Sequence, residues 1–231
     1  MTFKYMGDNP EKCDRNFYRN YDSRSDPAKD THPSIRCILD NPWLITKSIL
    51  EIGAGNGHAL ARIHNITKAK CYGIEPSIAA CKHGNENFNG IQLYEGSAEK
   101  YPLELQRKKY DLIIFGGVLF HLPPKNFFKV IGNALDVINE NGYIMIFDFH
   151  NQGAPIYRKY KHEDNQYVYK YDHEKILSMH PSFRLTYSKI LLSNEPYSKS
   201  TEFDTFHYAA LWKFSNLEKF IFAEKYPTKN T

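Results

Sequence analysis

The stretch from residue 50 to residue 57 reads Leu50-Glu51-Ile52-Gly53-Ala54-Gly55-Asn56-Gly57, and it decides the fold of this 231-residue chain. Apolar residues end at three glycines in alternate positions, and a helix-compatible run, His58-Ala59-Leu60-Ala61-Arg62-Ile63, follows directly. This order predicts a buried strand, a tight turn and the start of a helix. Glycines in such a turn let the backbone approach a ligand that a Cβ atom would displace. The stretch therefore predicts a site for a nucleotide-like cofactor.

The spacing of the glycines narrows the class of cofactor. A dinucleotide fingerprint, G-x-G-x-x-G, places its last glycine where the helix packs on the strand and the pyrophosphate meets the helix N-terminus. Here the third glycine comes one residue early, at Gly57, and His58 occupies the fingerprint position. The turn therefore favours a ligand without a pyrophosphate.

Three further stretches follow along the chain. Cys71-Tyr72-Gly73-Ile74-Glu75-Pro76-Ser77 predicts a short strand that ends in a carboxylate and leads into a helix. Gly96-Ser97-Ala98-Glu99 predicts a loop after the next strand. A third stretch predicts a buried strand and the loop after it, and it reads Tyr110-Asp111-Leu112-Ile113-Ile114-Phe115-Gly116-Gly117-Val118-Leu119-Phe120-His121-Leu122.

Together these stretches resemble the class I S-adenosylmethionine-dependent methyltransferases. With Glu51, the glycine turn reads E-x-G-x-G-x-G, like the first motif of that family, and the other stretches occur in family order over residues 45–150. The resemblance implies S-adenosyl-L-methionine as cofactor and S-adenosyl-L-homocysteine as product. The residues that it assigns to the cofactor are Tyr21, Glu51, Gly53, Ala54, Gly55, Gly57, Glu75, Pro76, Ser97, Ala98, Glu99, Gly116 and Gly117.

Two carboxylates and a short leader motif have specific expected roles. Glu75, at a strand tip, can accept hydrogen bonds from both hydroxyls of a ribose. In the family, the acid at the place of Glu51 either orients the glycine turn or approaches the methionine amino group through water, and both roles stay open. Tyr18, Tyr21 and Asp22 resemble the aromatic-Asp element with which many of these enzymes cover the methionine end.

Two histidines are candidate catalytic bases. His121 lies in the loop after the fourth strand, which in the resembling family faces the reactive methyl group, and an imidazole there can accept a proton from a hydroxyl. The alternative for His121 is packing on the cofactor or binding a backbone carbonyl. His150, just past the fifth strand, is the competing base.

The substrate candidates lie after the fifth strand. Asp148 either touches substrate or accepts hydrogen bonds from loop amides. Tyr157, Arg158 and Lys161 begin a stretch in which basic residues alternate with aromatics. Such a stretch can bind an anionic small molecule, pack as a solvated hairpin, or stack the bases of a nucleic acid, and we rank these readings in that order.

The predicted fold class is α/β, a doubly wound, mostly parallel seven-stranded sheet with helices on both faces and an antiparallel last strand. Apolar and amphipathic runs alternate, which favours parallel strands covered by helices. The predicted strands span 48–53, 70–75, 91–95, 110–116 and 142–149, followed by an extended pair at 183–193 and 204–215. The predicted helices span 57–66, 77–87, 99–106 and 125–139, with Asn141-Gly142 as the stop of the last one.

The predicted domain organisation has one catalytic unit with two additions. Residues 45–222 form the methyltransferase domain, and residues 151–180 form an insertion on its substrate side. Residues 1–44 form a polar N-terminal cap or lid, and residues 223–231 form a frayed tail.

Composition limits the partners. The net charge is +4, too mild to argue for nucleic acid by itself. No apolar run reaches the roughly 20 residues of a membrane span. Four scattered cysteines without metal-ligand spacing predict no metal site and a reducing, cytoplasmic compartment.

The predicted function is methyl transfer to a hydroxyl of a small, polar, anionic metabolite, for example a phosphorylated or nucleotide-linked sugar. Methylation of a nitrogen or of RNA is the alternative within the enzymes, and nucleic acid is the disfavoured partner. A Rossmann-like protein that binds the cofactor without chemistry is the alternative outside them. The sequence leaves the oligomeric state open.

Overall fold

A seven-stranded sheet organises the protein, as seen in a computed structural model that describes residues 9–19, 32–149, 151, 155–160, 162–163, 166–191 and 207–215. The strands are β1 (Ser48–Ile52), β2 (Lys70–Glu75), β3 (Ile91–Glu95), β4 (Tyr110–Gly116), β5 (Ile138–Phe149), β8 (Phe183–Leu191) and β9 (His207–Phe214), with β6 (Ile156–Lys159) and β7 (Tyr167–Lys170) in a separate hairpin. The helices are α1 (Pro10–Arg19), α2 (Pro33–Asp40), α3 (His58–Thr67), α4 (Ile78–Asn87), α5 (Leu103–Gln106), α6 (Pro124–Val137) and α7 (His173–Ser178).

The strand order in the sheet is β3-β2-β1-β4-β5-β9-β8. Strands β1 to β5 are parallel, whereas β9 runs antiparallel to both β5 and β8. This arrangement confirms the predicted fold class, including the antiparallel last strand. The carboxyl ends of β1, β2, β4 and β5 meet at one edge, where open α/β sheets bind their ligands.

Two apolar clusters cover the two faces of the sheet. On β4, Ile113 and Phe115 belong to one cluster, while Leu112 and Ile114 belong to the other. Side chains alternate between the faces of a strand, so every second residue of this apolar run contacts a different layer of helices. Helix α6 packs in the first cluster and α3 in the second, which accounts for the continuous apolar strands in the sequence.

Three boundaries between described residues differ from the prediction by two residues or more. The residues Asn141-Gly142 were expected to stop a helix, but α6 ends at Val137 and β5 begins at Ile138. Ile138 pairs with Tyr110 of β4, and an irregular register follows. Asn141 adopts a positive φ of 62° within the strand, so the turn-forming residue bends β5 rather than preceding it. Helix α5 is also shorter than predicted.

The polar leader contains two helices that the sequence pattern did not predict. In α1 the buried side chains are Cys13 and Phe17, one helical turn apart, and in α2 Ile35 and Ile38 pack into the core. Each helix is short, with ten residues in α1 and eight in α2, so the sequence shows few repeats of the helical period. The domain bounds remain predictions, and residues 223–231 lie outside the described residues.

Within the described ranges, the chain contains no helix with the length and hydropathy needed to cross a membrane.

Candidate functional site

The glycine turn joins β1 to α3 through left-handed backbone. Gly53, Gly55 and Gly57 have φ values of 73°, 55° and 74°. The amide N–H groups of Gly53 and Ala54 donate to the carbonyl oxygen of Ile74, at N···O distances of 2.8 and 3.1 Å. The turn is thereby fixed to the end of β2, in a conformation that only glycine adopts without strain.

Two of these glycines also leave no room for a side chain. A Cβ atom on Gly53 would lie 2.2 Å from Cγ2 of Val118, in the loop after β4. A Cβ atom on Gly57 would lie 2.5 Å from Cδ1 of Ile91. The sequence predicted a close approach by a ligand, and the structure adds that protein side chains already press against the turn.

Glu75 links the glycine turn to the N-terminus of α4. Its Oε2 accepts a hydrogen bond from the amide N–H of Gly55 at 2.9 Å, and its Oε1 accepts one from the N–H of Ser77 at 3.0 Å. A carboxylate has about four acceptor positions, so both contacts are compatible with two ribose hydroxyls as further donors. The turn and the carboxylate therefore fit the predicted cofactor. Pro76, which lies between Glu75 and Ser77 in the chain, is half-buried.

The loop after β3 is fixed to helix α6. Ser97 and Lys100 form an isolated bridge, Ala98 is buried, and its carbonyl oxygen accepts a hydrogen bond from Asn133 Nδ2 at 3.0 Å. The carboxylate of Glu99 accepts a hydrogen bond from the side-chain amide of Asn126. This loop presents its backbone at the same sheet edge as Glu75.

The side chain of Glu51, on β1, reaches Gly116 at the end of β4. Glu51 is buried, and its Oε1 would lie 3.2 Å from a Cβ atom on Gly116. Gly117 has a φ of 67°, and its amide N–H donates to the carbonyl oxygen of Phe147 on β5 at 2.8 Å. The two glycines thus let β4 end close to the acid, at the centre of the sheet edge.

Asp148 holds the turn after β4. It is 1% exposed, and its Oδ2 accepts hydrogen bonds from the amides of Leu119 at 2.7 Å and Phe120 at 3.3 Å. Its Oδ1 accepts one from the amide of Phe149 at 2.7 Å. Burial raises the pKa of this carboxyl to about 7, although the amides oppose the shift. These contacts match the loop-amide reading of Asp148, and its substrate role stays a prediction.

His121 packs among aromatic rings at the end of that turn. Its ring centroid lies 3.9 Å from that of Phe120 and 5.1 Å from that of Tyr160, which it meets edge to face. Its Nδ1 is buried and has no hydrogen-bond partner among the described residues. Burial, with a smaller contribution from the charge of Arg19, lowers its pKa to about 3. The imidazole is therefore neutral at physiological pH.

The β6–β7 hairpin covers this turn with one of its two faces. Arg158 pairs with Val168 and Tyr157 with Tyr169, and directly paired residues share a face. We call one side the inner face; it carries Arg158, Tyr160, Val168 and Lys170. Its Tyr160 contacts His121, and the Nζ of Lys170 lies 4.0 Å from the ring centroid of Phe149.

The opposite side, the tyrosine face, carries Tyr157, Lys159, Tyr167 and Tyr169. The rings of Tyr157 and Tyr167 are stacked, with centroids 4.7 Å apart and planes at 10°. Tyr157 is 50% exposed. Of the predicted substrate residues, Arg158 therefore shares a face with Tyr160 above His121, and Tyr157 lies on the other face.

Helix α1 contacts both the cofactor side and the hairpin side. The carboxylate of Asp14 accepts hydrogen bonds from Ser77 Oγ at 2.5 Å and from the amide of Ala79 at 3.1 Å. Arg15 forms an ion pair with Glu163 at 2.6 Å. Arg19 Nη1 donates to the carbonyl oxygen of His162 at 3.2 Å. Asp14 was not predicted from the sequence, and Tyr160 was included only as a member of the aromatic and basic stretch, because the partner of each is distant along the chain.

Four predicted site residues lie outside the described residues, namely Tyr21, Asp22, His150 and Lys161. Across the described ranges, no three His, Cys, Asp or Glu side chains are grouped so that they could hold a metal ion. All four cysteines lie in those ranges, buried as free thiols.

Comparison with known proteins gives one family match. A family model described as a methyltransferase domain matches residues 46–204, which is more than half of the chain. No curated protein sequence matches.

Solved structures share the fold. The chain is similar to 1,6-didemethyltoxoflavin-N1-methyltransferase of Burkholderia thailandensis, solved with 1,6-didemethyltoxoflavin and S-adenosylhomocysteine (TM-score 0.63, 11% identity, covering 90% of this chain and 91% of that chain). It is also similar to a plantazolicin methyltransferase with a pentazolic desmethylPZN analogue (0.58, 16%, 90% and 93%). A third is magnesium protoporphyrin IX methyltransferase of Synechocystis PCC 6803 with S-adenosylmethionine (0.55, 14%, 88% and 83%).

Proposed function

The chain belongs to the class I S-adenosylmethionine-dependent methyltransferases, and from this premise we propose that it methylates an oxygen of a small, polar, negatively charged metabolite. The contact between Gly55 and Glu75 carries the cofactor half of this proposal. Bound there, S-adenosylmethionine supplies an electrophilic methyl group on a sulfonium. The left-handed turn admits the cofactor's approach, and Glu75 accepts hydrogen bonds from ribose hydroxyls.

The inner face of the hairpin supports the acceptor half. It lies over His121 and Phe149, at the ends of the two central strands. Arg158 and Lys170 give this face positive charge, and guanidinium groups suit carboxylates and phosphates in particular. An anionic acceptor held under this face would lie at the sheet edge that also presents the glycine turn. In-line placement then contributes most of the rate acceleration.

The state of His121 limits the kind of oxygen. A neutral imidazole accepts a hydrogen bond from a hydroxyl, but a pKa of about 3 makes it a weak proton acceptor. The proposal therefore favours an acceptor whose proton is already acidic, such as a phenol or a carboxylic acid, with His121 orienting the oxygen. An aliphatic sugar hydroxyl needs a stronger base, and His150 remains the candidate for that case.

Nitrogen is the second candidate acceptor. The same weak basicity of His121 favours it, because a neutral amine or ring nitrogen attacks a sulfonium without prior loss of a proton. The solved relative from Burkholderia thailandensis is by its name an N1-methyltransferase. The RNA reading and the cofactor-binding protein without chemistry are retained as outcomes of the test.

The buried thiols support the expected reducing, cytoplasmic location.

The test is direct labelling. The purified chain is incubated with tritiated S-adenosylmethionine and a small-molecule extract, and labelled products are identified by mass spectrometry. We expect an acid-labile or alkali-labile methyl ester or a phenolic ether. A stable N-methyl product selects the second candidate. Label only in added RNA favours the RNA reading, and S-adenosylhomocysteine binding without labelling favours the cofactor-binding protein.

A matched pair of variants tests the acceptor site. Arg158 and Lys159 are adjacent, exposed and cationic, but lie on opposite faces of the hairpin. We expect Arg158→Ala to raise KM for the labelled acceptor about tenfold or more, as loss of one charge-assisted contact predicts, with unchanged S-adenosylhomocysteine affinity. Lys159→Ala should leave both values near those of the wild type. Equal effects of the two substitutions would argue against binding at the inner face.

A further inference from the structure

Asp148 occupies an unusual place for a buried carboxylate. It lies at the carboxyl end of β5, at the sheet edge where the chemistry takes place, and it is 1% exposed. Its carboxylate accepts hydrogen bonds from backbone amides, those of Leu119 and Phe120 after β4 and that of its neighbour Phe149. Its carboxyl therefore ties the turn after β4 to the end of β5.

The turn that Asp148 holds is in contact with the glycine turn. Leu119–His121 form one turn of 3-10 helix, and Val118 directly precedes it. The Cγ2 atom of Val118 fills the space that a Cβ atom of Gly53 would occupy. At the other end of the turn, His121 faces Tyr160 of the hairpin. The ring of Phe120 meets that of Phe149 edge to face at 4.8 Å. The turn thus spans the distance between the cofactor side and the acceptor side.

We propose that Asp148 is a positioning residue for methyl transfer. It holds residues 118–121 against the glycine turn and thereby fixes the distance and alignment between the acceptor atom and the methyl group. The proposal rests on the proposed function. The carboxyl accepts hydrogen bonds from the two amides at the start of the turn, as a capping side chain does. Removal of the carboxyl would therefore let Val118 and His121 shift together. A shift of about 1 Å between reacting groups is enough to cost about 100-fold in rate.

Other groups around Asp148 share its burial. Tyr171, which follows β7, is buried, and this burial, with a smaller contribution from the charge of Asp148, raises the pKa of its phenol. From β7, Lys170 points over the Phe149 ring, and His121 stands on the turn itself. Because Asp148 is only 1% exposed, bulk water does not reach its carboxyl to replace it as the acceptor of the two amides.

Asp111 supplies a matched control near the start of β4, at the opposite edge of the sheet. Its Oδ2 accepts hydrogen bonds from the amides of Lys47 at 2.7 Å and Ser48 at 3.1 Å. Its Oδ1 accepts one from Asn139 Nδ2 at 2.7 Å. Asp111 therefore makes the same kind of amide contact as Asp148, at the edge of the sheet that is remote from the glycine turn.

Amide hydrogen exchange, followed by mass spectrometry in the full chain, tests the contact. We expect Asp148→Ala, which removes both acceptor oxygens, to speed exchange at Leu119 and Phe120 about 10- to 100-fold. Exchange in α3 and affinity for S-adenosylhomocysteine should stay within about threefold of the wild type. Asp111→Ala should speed exchange near residues 47 and 48 instead. Unaltered exchange at 119–120 in Asp148→Ala would overturn the proposal.

Turnover separates positioning from general stability. With the product that the wild type labels from tritiated S-adenosylmethionine, Asp148→Ala should lower kcat about tenfold or more, with KM changed less. Asp111→Ala should leave kcat within about twofold. Equal kcat losses in both variants would make Asp148 merely structural and overturn the proposal. If the wild type labels no product, the proposed function fails, while hydrogen exchange still decides whether Asp148 holds the turn.

Discussion

Gly55 donates its amide N–H to Oε2 of Glu75, twenty residues later, at 2.9 Å. This contact joins the left-handed turn after β1 to the acidic tip of β2, and the other carboxylate oxygen reaches Ser77 at the start of α4. Two motifs that are separate in the sequence therefore form one binding surface. Its geometry leads to a first prediction about cofactor affinity.

The first prediction concerns Glu75. Glu75→Ala removes the acceptor of the ribose hydroxyls and should weaken S-adenosylhomocysteine binding by about 1.5–3 kcal/mol for each charge-assisted bond lost, measured by calorimetry. Glu86→Ala, which removes an exposed carboxylate from α4, serves as the control and should bind like the wild type. Unchanged affinity in a folded Glu75→Ala protein would remove Glu75 from the site.

A second prediction concerns the fit of Gly53 against Val118. Gly53→Ala would place Cβ 2.2 Å from Val118 Cγ2 at a φ of 73°. We expect a loss of about 1–2 kcal/mol from the left-handed backbone and about 1–3 kcal/mol from overpacking, seen in urea unfolding. Adding Val118→Ala should restore the overpacking part only. Gly132→Ala on α6, where no atom lies within 4 Å, should be neutral or stabilising by up to about 1 kcal/mol.

Additive losses in the Gly53→Ala, Val118→Ala double variant would contradict this account. They would mean that the two residues do not press on each other in solution, because coupling is expected only between residues in contact.

The sequence predicted the parallel half of the fold because its strands are buried on both faces. Leu112–Phe115 reads as an unbroken apolar run, and the observed β4, Tyr110–Gly116, has the bounds that were predicted. Asn141-Gly142 misled the prediction, because an Asn in left-handed conformation can bend a strand as well as end a helix. The neighbouring residues in the sequence do not distinguish a bent strand from the end of a helix. The pairing of Ile138 with Tyr110 on β4 determines that residues 138–142 belong to the strand.

The site was predicted less completely than the fold. The motif residues Gly55 and Glu75 could be found from spacing, because one glycine turn and one strand tip come from consecutive elements. For Asp148 the sequence offered loop amides as one of two roles but could not name its partners, Leu119 and Phe120, because the pairing of β4 with β5 fixes them. Which face of the hairpin meets His121 depends likewise on packing, because each face carries both aromatic and basic residues.

A third prediction concerns how α1 is held. Asp14 accepts two hydrogen bonds at the start of α4, whereas Arg15 is exposed and pairs with one carboxylate. Asp14→Ala should destabilise the chain by about 0.5–2 kcal/mol, as loss of a helix cap does. Arg15→Ala should barely change the melting temperature, because exposed ion pairs contribute little. An equal shift in both variants would show that α1 is held by the ion pair instead.

The last prediction concerns pH and follows from two opposite pKa shifts. Burial lowers the pKa of His121 from its ordinary 6.5 to about 3, so between these values the unfolded chain binds a proton that the folded chain lacks. This contribution makes the free energy of unfolding rise with pH. Burial raises the pKa of Asp148 from 3.8 to about 7, so there the folded chain holds the extra proton. That contribution makes the free energy of unfolding fall as pH rises.

Because each slope is at most about 1.4 kcal/mol per pH unit, the two contributions should nearly cancel between about pH 4 and 6.5, leaving other groups to set the slope of the wild type. A substitution of either residue leaves the pH dependence that the other contributes. Relative to the wild type, His121→Asn should lose stability as pH rises through this window, and Asp148→Asn should gain it, when urea unfolding is followed at pH 4.5, 5.5 and 6.5. If both variants keep the slope of the wild type, neither group titrates as its burial demands, and the neutral imidazole that favours an acidic or nitrogen acceptor loses its support.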